Sequence, residues 1–238
     1  MPDPPEIVDT DYSNVDTCGL CGANPLGHER KRDWIRRCLP YGLRYRTLRE
    51  PSSGTRVGMI EYMPGEFAWR AVDAKDYMVI HCLQVPRRYA GQGYGSLLVQ
   101  ACVDDARRHG MAGVPALATR AGWCADDGAY LRNSLEAVDR ADPSLELVAK
   151  VLRQARPPSL GDWRRRLEAL GAGIYMYVSR QCPFMRGERE RRRQAVLRSR
   201  YGLEAHIVEV QDHTAAQANP CVWGTAGTVC NGVIVNYV

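Results

Sequence analysis

Residues 85–98 read Val85-Pro-Arg-Arg-Tyr-Ala-Gly-Gln-Gly-Tyr-Gly-Ser-Leu-Leu98, with glycines at three alternate positions. The preceding run Tyr77–Val85 is almost continuously apolar, which is typical of a buried central strand. From Ser96 to His109 apolar residues recur at helical spacing, and Gly110 ends the pattern. The sequence therefore predicts a strand, a glycine loop and a helix. Such a loop can bind an anion, because glycines let backbone N–H groups converge and the helix N-terminus adds a favourable dipole.

Three other interpretations of the glycine loop fit less well. A P-loop requires Gly-Lys-Ser/Thr, and the stretch has no lysine. A Rossmann loop requires Gly-x-Gly-x-x-Gly near the first strand, whereas the spacing here is Gly-x-Gly-x-Gly in mid-chain. A plain tight turn explains one glycine better than three. Arg87 and Arg88 add positive charge beside the loop, which favours an anionic ligand.

At these residues the chain resembles the GNAT N-acetyltransferase superfamily, because Arg88-Tyr-Ala-Gly91-Gln-Gly93 fits its Gln/Arg-x-x-Gly-x-Gly/Ala motif. The resemblance implies an acyl-CoA-dependent N-acyltransferase that uses acetyl-CoA, or another acyl-CoA, and acts on a small amine-bearing metabolite by direct transfer. It implies that the amides of residues 90–96 hold the pyrophosphate and that the strand through residues 83–85 splays to bind pantetheine and the thioester carbonyl. The implied cofactor-binding residues are Leu83, Val85, Arg87, Arg88, Ala90, Gly91, Gly93, Tyr94, Gly95 and Ser96.

A closer resemblance, to the YoaP-like branch, covers most of the chain from Cys18 to Tyr237. That branch joins a GNAT domain to a small thioredoxin-like C-terminal domain. The expected fold class is α/β (α+β): a GNAT mixed central sheet with flanking helices, followed by a small thioredoxin-like α/β domain. We expect a mobile N-terminus over residues 1–15, the GNAT acyltransferase domain over 16–155, a linker and short helix over 156–172, and the thioredoxin-like domain over 173–238.

Acetyl transfer needs a base for the amine and an acid for the leaving thiolate. Tyr130, in Tyr130-Leu-Arg-Asn-Ser-Leu135, matches the tyrosine of a family pattern in which Gly-Phe stands where this chain has Ser-Leu. It is the expected general acid, with a place in the core as the alternative. Candidate bases are Glu61, Glu66 and His81, each of which could instead be a structural or solvated group.

Residues near these candidates suggest an acceptor site. Trp69 and Arg70 are expected to shape the pocket, with Arg70 favouring an acceptor that carries a carboxylate. Strand alternation predicts that Cys82 faces away from His81 as a buried apolar thiol.

The nine cysteines exclude a fully paired disulfide framework within one chain, because nine is odd. The first residues have neither the basic nor the apolar region of a signal peptide, and no run of about 18 apolar residues predicts a membrane span. We therefore expect a cytoplasmic protein with reduced thiols. The net charge of +5 is too diffuse to favour nucleic acid, so the expected partner is a small molecule, with a homodimer left open.

Cysteine spacing suggests two local sites. Cys18-x-x-Cys21 has the residue types of a zinc site but lacks a second ligand pair, so it is a weak metal candidate, no metal is expected, and two reduced thiols are the alternative. Cys182 precedes Pro183, the predicted first residue of a helix, where a thiolate is stabilised. Its motif resembles the thioredoxin-like Cys-x-x-Cys, but Met185 replaces the second cysteine and Gly224 replaces an expected proline. Cys182 is a candidate reactive thiol, and its domain could instead serve packing, acceptor binding or dimerisation.

Two other functions remain open at this point. One is a thiol-based redox or metal-binding protein whose GNAT domain has been repurposed. The other is a GNAT scaffold that uses a different acyl donor, such as an aminoacyl-tRNA. The identity of the acceptor lies beyond the sequence, because GNAT acceptor pockets are built from variable loops.

Overall fold

The computed structural model describes residues 4–22, 25–119, 128–142, 145–184 and 187–236. The chain divides into two compact units, and each unit is assembled from three segments. The first contains Met1–Gly19, Ile35–Ala68 and Asp73–Ser159, and the second contains Leu20–Trp34, Trp69–Val72 and Leu160–Val238. Among the described residues, no helix combines the length and apolarity needed to cross a bilayer.

A mixed sheet organises the first unit, in the order β1-β2-β3-β4-β5-β7-β6. Its strands are β1 (Glu6–Asp9), β2 (Arg44–Arg49), β3 (Arg56–Pro64), β4 (Met78–Gln84), β5 (Gly113–Thr119), β6 (Glu136–Asp142) and β7 (Leu145–Val151). Neighbouring strands are antiparallel except β4 and β5, which are parallel. This sheet and its helices confirm the predicted mixed α/β class.

Helix α2 (Tyr94–Arg108) covers one face of this sheet, and α3 (Gly128–Leu131) contacts α2. Helix α1 (Pro25–Cys38) has 14 residues, of which those up to Trp34 are assigned to the second unit and the rest to the first. The spacing of apolar residues in α2 places one face against β3, β4 and β5. That face is fully buried through Leu98, Val99, Cys102, Val103 and Ala106. The predicted strand–loop–helix segment therefore lies at the centre of the first unit.

Two features of this sheet differ from the sequence prediction. Residues 6–9, expected to be mobile, pair with β2 as an antiparallel edge strand. Strand β6 was not predicted, because its sequence Glu-Ala-Val-Asp-Arg-Ala-Asp is charged and its pairing with β7 is interrupted by two register shifts. Charged, bulged edge strands lack the apolar alternation by which strands are recognised.

The second unit contains a four-stranded sheet in the order β11-β10-β8-β9. Its elements are α4 (Trp163–Leu170), β8 (Ile174–Ser179), α5 (Gly187–Tyr201), β9 (Ala205–Val210), α6 (His213–Gln217), β10 (Gly227–Cys230) and β11 (Val233–Asn236). Strands β8 and β9 are parallel, whereas β10 is antiparallel to both β8 and β11. Asn231 and Gly232 take positive φ angles of 48° and 75° in the hairpin turn, as an Asn-Gly turn requires. The second sheet is confirmed, and the thioredoxin-like interpretation stays a prediction.

Candidate functional site

Strands β4 and β5 separate in the middle of the first sheet. Their parallel ladder holds a single residue pair, Ile80 with Ala116. On their other sides, β4 pairs with β3 as far as Gln84, and β5 pairs with β7 along its whole length. The two strands therefore diverge beyond Ile80, which leaves an edge of β4 backbone outside the ladder just before the glycine loop.

The glycine loop connects this divergent strand to α2. Gly91 and Gly93 both have φ of 80°, a left-handed conformation that suits glycine. Gly93 is the N-cap residue of α2 and provides no side-chain cap. A Cβ added at Gly91 or Gly93 would find no atom of the described residues within 4 Å, so the loop borders open space within that part of the chain. The amides of the first turn of α2 are consequently available to an external acceptor, as an anion site requires.

Gly95 has a different reason to be glycine. A Cβ added there would lie 3.1 Å from Cβ of Ala129, so the missing side chain lets α3 approach the first turn of α2. The glycine loop and α3 are therefore held together by tertiary packing and not by being close in sequence.

Arginines surround the loop. Arg87 and Arg88 are exposed, as their position in the sequence suggested, and the Arg88 guanidinium lies 4.9 Å from the ring centre of Tyr89. Sequence reasoning missed Arg132, whose Nε donates a hydrogen bond of 3.2 Å to Oγ of Ser96 in the first turn of α2. No local pattern indicates this contact, because the two residues lie 36 positions apart.

Glu61 and His81, considered separately as bases, form one buried pair. His81 Nδ1 lies 3.3 Å from Glu61 Oε1, and both side chains are fully excluded from solvent. A β-bulge makes the contact, since Glu61 pairs with Cys82 and Tyr62 pairs with Ile80, which leaves His81 as the extra residue of β4.

Because of the bulge, the side chain of Cys82 does not have the orientation that strand alternation predicted. Cross-strand partners in an antiparallel pair share a face, so Cys82 lies on the Glu61 face. Glu61 is also in contact with His81, so His81 and Cys82 do not face opposite sides as alternation predicted. Cys82 is partly exposed rather than buried.

Tyr130 and Glu66 occupy contrasting positions. Tyr130 is 3% exposed and belongs to the buried cluster that also contains Ile80 and Ala116, the pair at which the strands part. Ser134, which stands where the family pattern has glycine, has φ of 60°. Glu66 accepts a hydrogen bond of 3.0 Å from the backbone N–H of Asp76, so its carboxylate supports a loop.

Trp69 and Arg70, expected at the acceptor pocket, belong to the second unit. The Trp69 ring meets Trp34 edge-on at 5.4 Å. The Arg70 guanidinium donates to Thr225 Oγ1 at 3.1 Å and lies 4.8 Å from the ring centre of Trp223. Both residues are buried, and their role at an acceptor pocket stays a prediction.

The thiols of the second unit differ in exposure. Cys182 is partly exposed, and Pro183 and Phe184 form a turn, so the predicted helix start at Pro183 is wrong. Met185 lies outside the described residues. Cys221 is fully buried, its thiol donates to the Ala226 carbonyl at 3.1 Å, and burial raises its pKa to about 12.

The weak metal candidate has other contacts. The Cys18 thiol donates to the Val15 carbonyl at 3.1 Å, and His28 Nε2 lies 3.0 Å from the carbonyl of Cys21. Among the residues that the structure describes, no group of three or more histidines, cysteines or acidic residues is arranged to hold a metal ion.

Two sequence comparisons identify proteins similar to this chain. A sequence model of the GCN5-related N-acetyl-transferase family matches residues 44–121, from β2 to just beyond β5. The chain is 27% identical over 213 residues to the uncharacterized N-acetyltransferase YoaP of Bacillus subtilis strain 168, covering 88% of this chain and 82% of that protein.

Two solved structures are also similar. One is a GNAT family acetyltransferase from Brucella melitensis in complex with acetyl-CoA, with 16% identity, a TM-score of 0.43, and coverage of 64% of this chain and 91% of that one. The other is the Escherichia coli GNAT protein YhbS in complex with CoA, with 14% identity, a TM-score of 0.43, and coverage of 89% and 92%.

Proposed function

Because residues 44–121 match the model of the GCN5-related N-acetyl-transferase family, we propose that this chain transfers the acetyl group of acetyl-CoA to the amine of a small metabolite. The divergence of β4 and β5 beyond the Ile80–Ala116 pair carries this proposal. It exposes backbone polar groups of β4 to pantetheine, and the loop that follows ends at the open first turn of α2. Pyrophosphate bound there accepts hydrogen bonds from the loop amides.

The positions of the acid and base candidates support direct transfer. Tyr62 and Ile60 face the α2 side of the sheet, so Glu61 between them faces the other side. Tyr130 packs within the α2-side cluster. A thioester in the gap between β4 and β5 would therefore have Tyr130 on one side and the Glu61–His81 pair on the other.

In the proposed reaction the neutral amine attacks the thioester carbonyl carbon, and the C–S bond breaks as the amide C–N bond forms. The Glu61–His81 pair takes the proton of the amine. The Tyr130 hydroxyl gives a proton to the departing CoA thiolate. The products are the acetylated amine and CoA thiol.

The second unit fits a thioredoxin-like domain with an altered reactive site. Its parallel β8 and β9, joined by α5, are followed by α6 and an antiparallel hairpin in the same sheet. The buried thiol of Cys221 has a raised pKa, so it is a poor partner for dithiol exchange at neutral pH. These observations favour a structural or acceptor-binding role for this unit over a redox role.

The glycine loop provides the decisive test. Valine at position 93 would have to adopt a positive φ, which β-branched residues avoid, so the loop should rearrange and the amides should turn away. We expect Gly93→Val to weaken acetyl-CoA binding about 100-fold, equivalent to losing roughly two charge-assisted hydrogen bonds. Isothermal titration calorimetry measures the affinity, and a thiol-release assay follows turnover across a panel of small amines.

A matched control exists in the loop between β2 and β3. Gly54 also has a positive φ, 64°, and no atom within 4 Å of an added Cβ, so Gly54→Val imposes similar strain away from the loop. It should keep wild-type affinity. If the wild-type protein binds neither acetyl-CoA nor longer acyl-CoAs, the proposal is wrong, and binding of an aminoacyl-tRNA instead would identify a different donor.

A further inference from the structure

Arg132 occupies a position at the glycine loop that its sequence context does not explain. It follows α3 directly, it is exposed, and its Nε donates to Oγ of Ser96 at 3.2 Å. Ser96 lies in the first turn of α2, where the amides lack a side-chain cap. The guanidinium therefore lies beside the same open helix end as the loop amides.

The backbone around Arg132 is held on both sides. The Arg132 N–H donates to the Gly128 carbonyl at 3.1 Å, and Asn133 Nδ2 donates to the Ala129 carbonyl at 2.8 Å. Lys150 Nζ donates to the Asn133 carbonyl at 2.8 Å. Together with the close approach of Ala129 to Gly95, these contacts fix the origin of the Arg132 side chain relative to α2. A preorganised arginine loses less entropy on binding a ligand.

The charge of Arg132 is also uncompensated within the described residues. Some other arginines of this unit pair with carboxylates, as Arg107 does with Asp104, Arg108 with Asp105 and Arg140 with Glu146. No described carboxylate lies within ion-pair distance of Arg132, and its hydrogen bond to Ser96 uses Nε. Both Nη groups remain able to donate to two oxygens of one phosphate, the geometry that arginine favours.

We propose that Arg132 binds the pyrophosphate of acetyl-CoA at the first turn of α2, with Ser96 orienting its guanidinium. This assignment rests on the proposed acetyl-CoA dependence and adds to it a residue outside the glycine loop. Phosphate occurs in CoA both as pyrophosphate and as the ribose 3′-phosphate, and dephospho-CoA, which lacks only the latter, separates the two.

The test compares CoA and dephospho-CoA by calorimetry for the wild-type protein, Arg132→Ala and Arg132→Lys. Loss of a charged bidentate contact should raise the dissociation constants of both ligands by a similar factor, about tenfold or more. Arg132→Lys should recover part of the loss, because lysine keeps the charge but not the planar fork. Arg140→Ala removes another exposed arginine of this unit, which pairs with Glu146, and should leave both affinities unchanged.

Several results would overturn the assignment. Unchanged affinities in Arg132→Ala would remove Arg132 from the site. If Arg132→Ala weakened the binding of CoA but not of dephospho-CoA, Arg132 would contact the 3′-phosphate instead. If Arg132→Ala weakened both and also lowered the unfolding midpoint, and Arg132→Lys restored none of the affinity, the role of Arg132 would be structural. If the wild-type protein binds neither ligand, the proposed function fails and this assignment fails with it, whereas normal wild-type binding with any of the preceding results rejects the Arg132 assignment alone.

Discussion

At the scale of single residues, the unexpected feature is the pairing of Glu61 with His81. A bulge in β4 places the His81 ring within 3.3 Å of the Glu61 carboxylate, where both are shielded from water. A carboxylate that accepts from Nδ1–H fixes the imidazole tautomer. In the proposed mechanism the two residues therefore act as one base, and this role stays a prediction.

We expect His81→Gln and Glu61→Gln to lower kcat, because each breaks the proposed base. General-base catalysis contributes about 10²- to 10⁴-fold, which sets the scale for His81→Gln, and Glu61→Gln should cost less. The double variant should be no slower than His81→Gln alone. Steady-state kinetics with calorimetry checks this, since acetyl-CoA affinity should be retained. Unchanged kcat in His81→Gln would exclude the pair as the base.

Thiol exposure gives a second prediction at this scale. Cys82 and Cys182 are partly exposed, whereas Cys221 is fully buried with a raised pKa. Iodoacetamide at pH 8, mapped by mass spectrometry, should modify the first two at least tenfold faster than Cys221. Acetyl-CoA should protect Cys82, which lies on the diverging part of β4, and leave Cys182 as the internal control. Equal protection of both thiols would indicate a general conformational effect instead.

At the scale of elements, α2 connects the glycine loop at its N-terminal end to a buried ionic network near its C-terminal end. Asp105 accepts hydrogen bonds from the Tyr62 hydroxyl at 2.9 Å and from Arg108 at 2.7 Å, and Arg46 lies 3.7 Å away. Burial would raise the pKa of Asp105, but the hydrogen bond from Arg108, the charge of Arg46 and the hydrogen bond from Tyr62 outweigh it and lower the pKa. The network anchors α2 on β2 and β3.

Since the folded-state pKa of Asp105 lies below its ordinary value of 3.8, its ionised form stabilises the fold above that pH, and the contribution is lost as the pH falls below it. We expect Asp105→Asn to lower the free energy of unfolding by about 2 kcal/mol at pH 7, with a smaller difference below about pH 4. Urea unfolding from pH 3 to 7 measures both. The same change at the neighbouring, less buried Asp104 should change stability by less than about 0.5 kcal/mol. A pH-independent difference would contradict the ionic explanation.

At the scale of the whole molecule, the division into units does not follow the chain. Residues 20–34 and 69–72 belong with the C-terminal unit, where Trp34 meets Trp69 and Arg70 meets Thr225 and Trp223. A cut at the Pro-rich stretch near residue 157 therefore separates these segments from the rest of their unit.

We expect the fragment 1–159 to be less stable than a self-contained domain, because Arg70 loses its contacts with Thr225 and Trp223, and Trp34 and Trp69 lose the remaining residues of their unit. Buried tryptophans each cover about 150–250 Å², so their exposure should increase binding of the dye ANS and promote aggregation. Dye fluorescence and light scattering, compared with the full chain, measure this. A monomeric fragment with a cooperative transition and no added dye binding would show that the two segments do not depend on residues 160–238.

Local pattern was enough to predict the central strand, the glycine loop, α2, and the βαβ-and-hairpin order of the second unit. Each depends on spacing within one stretch: continuous apolar residues, glycines at 91 and 93, or an Asn-Gly turn. Edge strands β1 and β6 were missed because charged residues mask their alternation.

The sequence by itself therefore determined the glycine loop, which is proposed to bind an anion, and the helix that follows it. Only the tertiary structure decided that Glu61 contacts His81, that Arg132 reaches Ser96, and that Trp69 and Arg70 pack in the other unit. These contacts join residues that are distant in the chain. The bulge in β4 produces the first, the missing Cβ at Gly95 permits the second, and the assembly of the second unit from separate segments produces the third. Their positions depend on long-range packing, which periodicity and residue type along one segment do not contain.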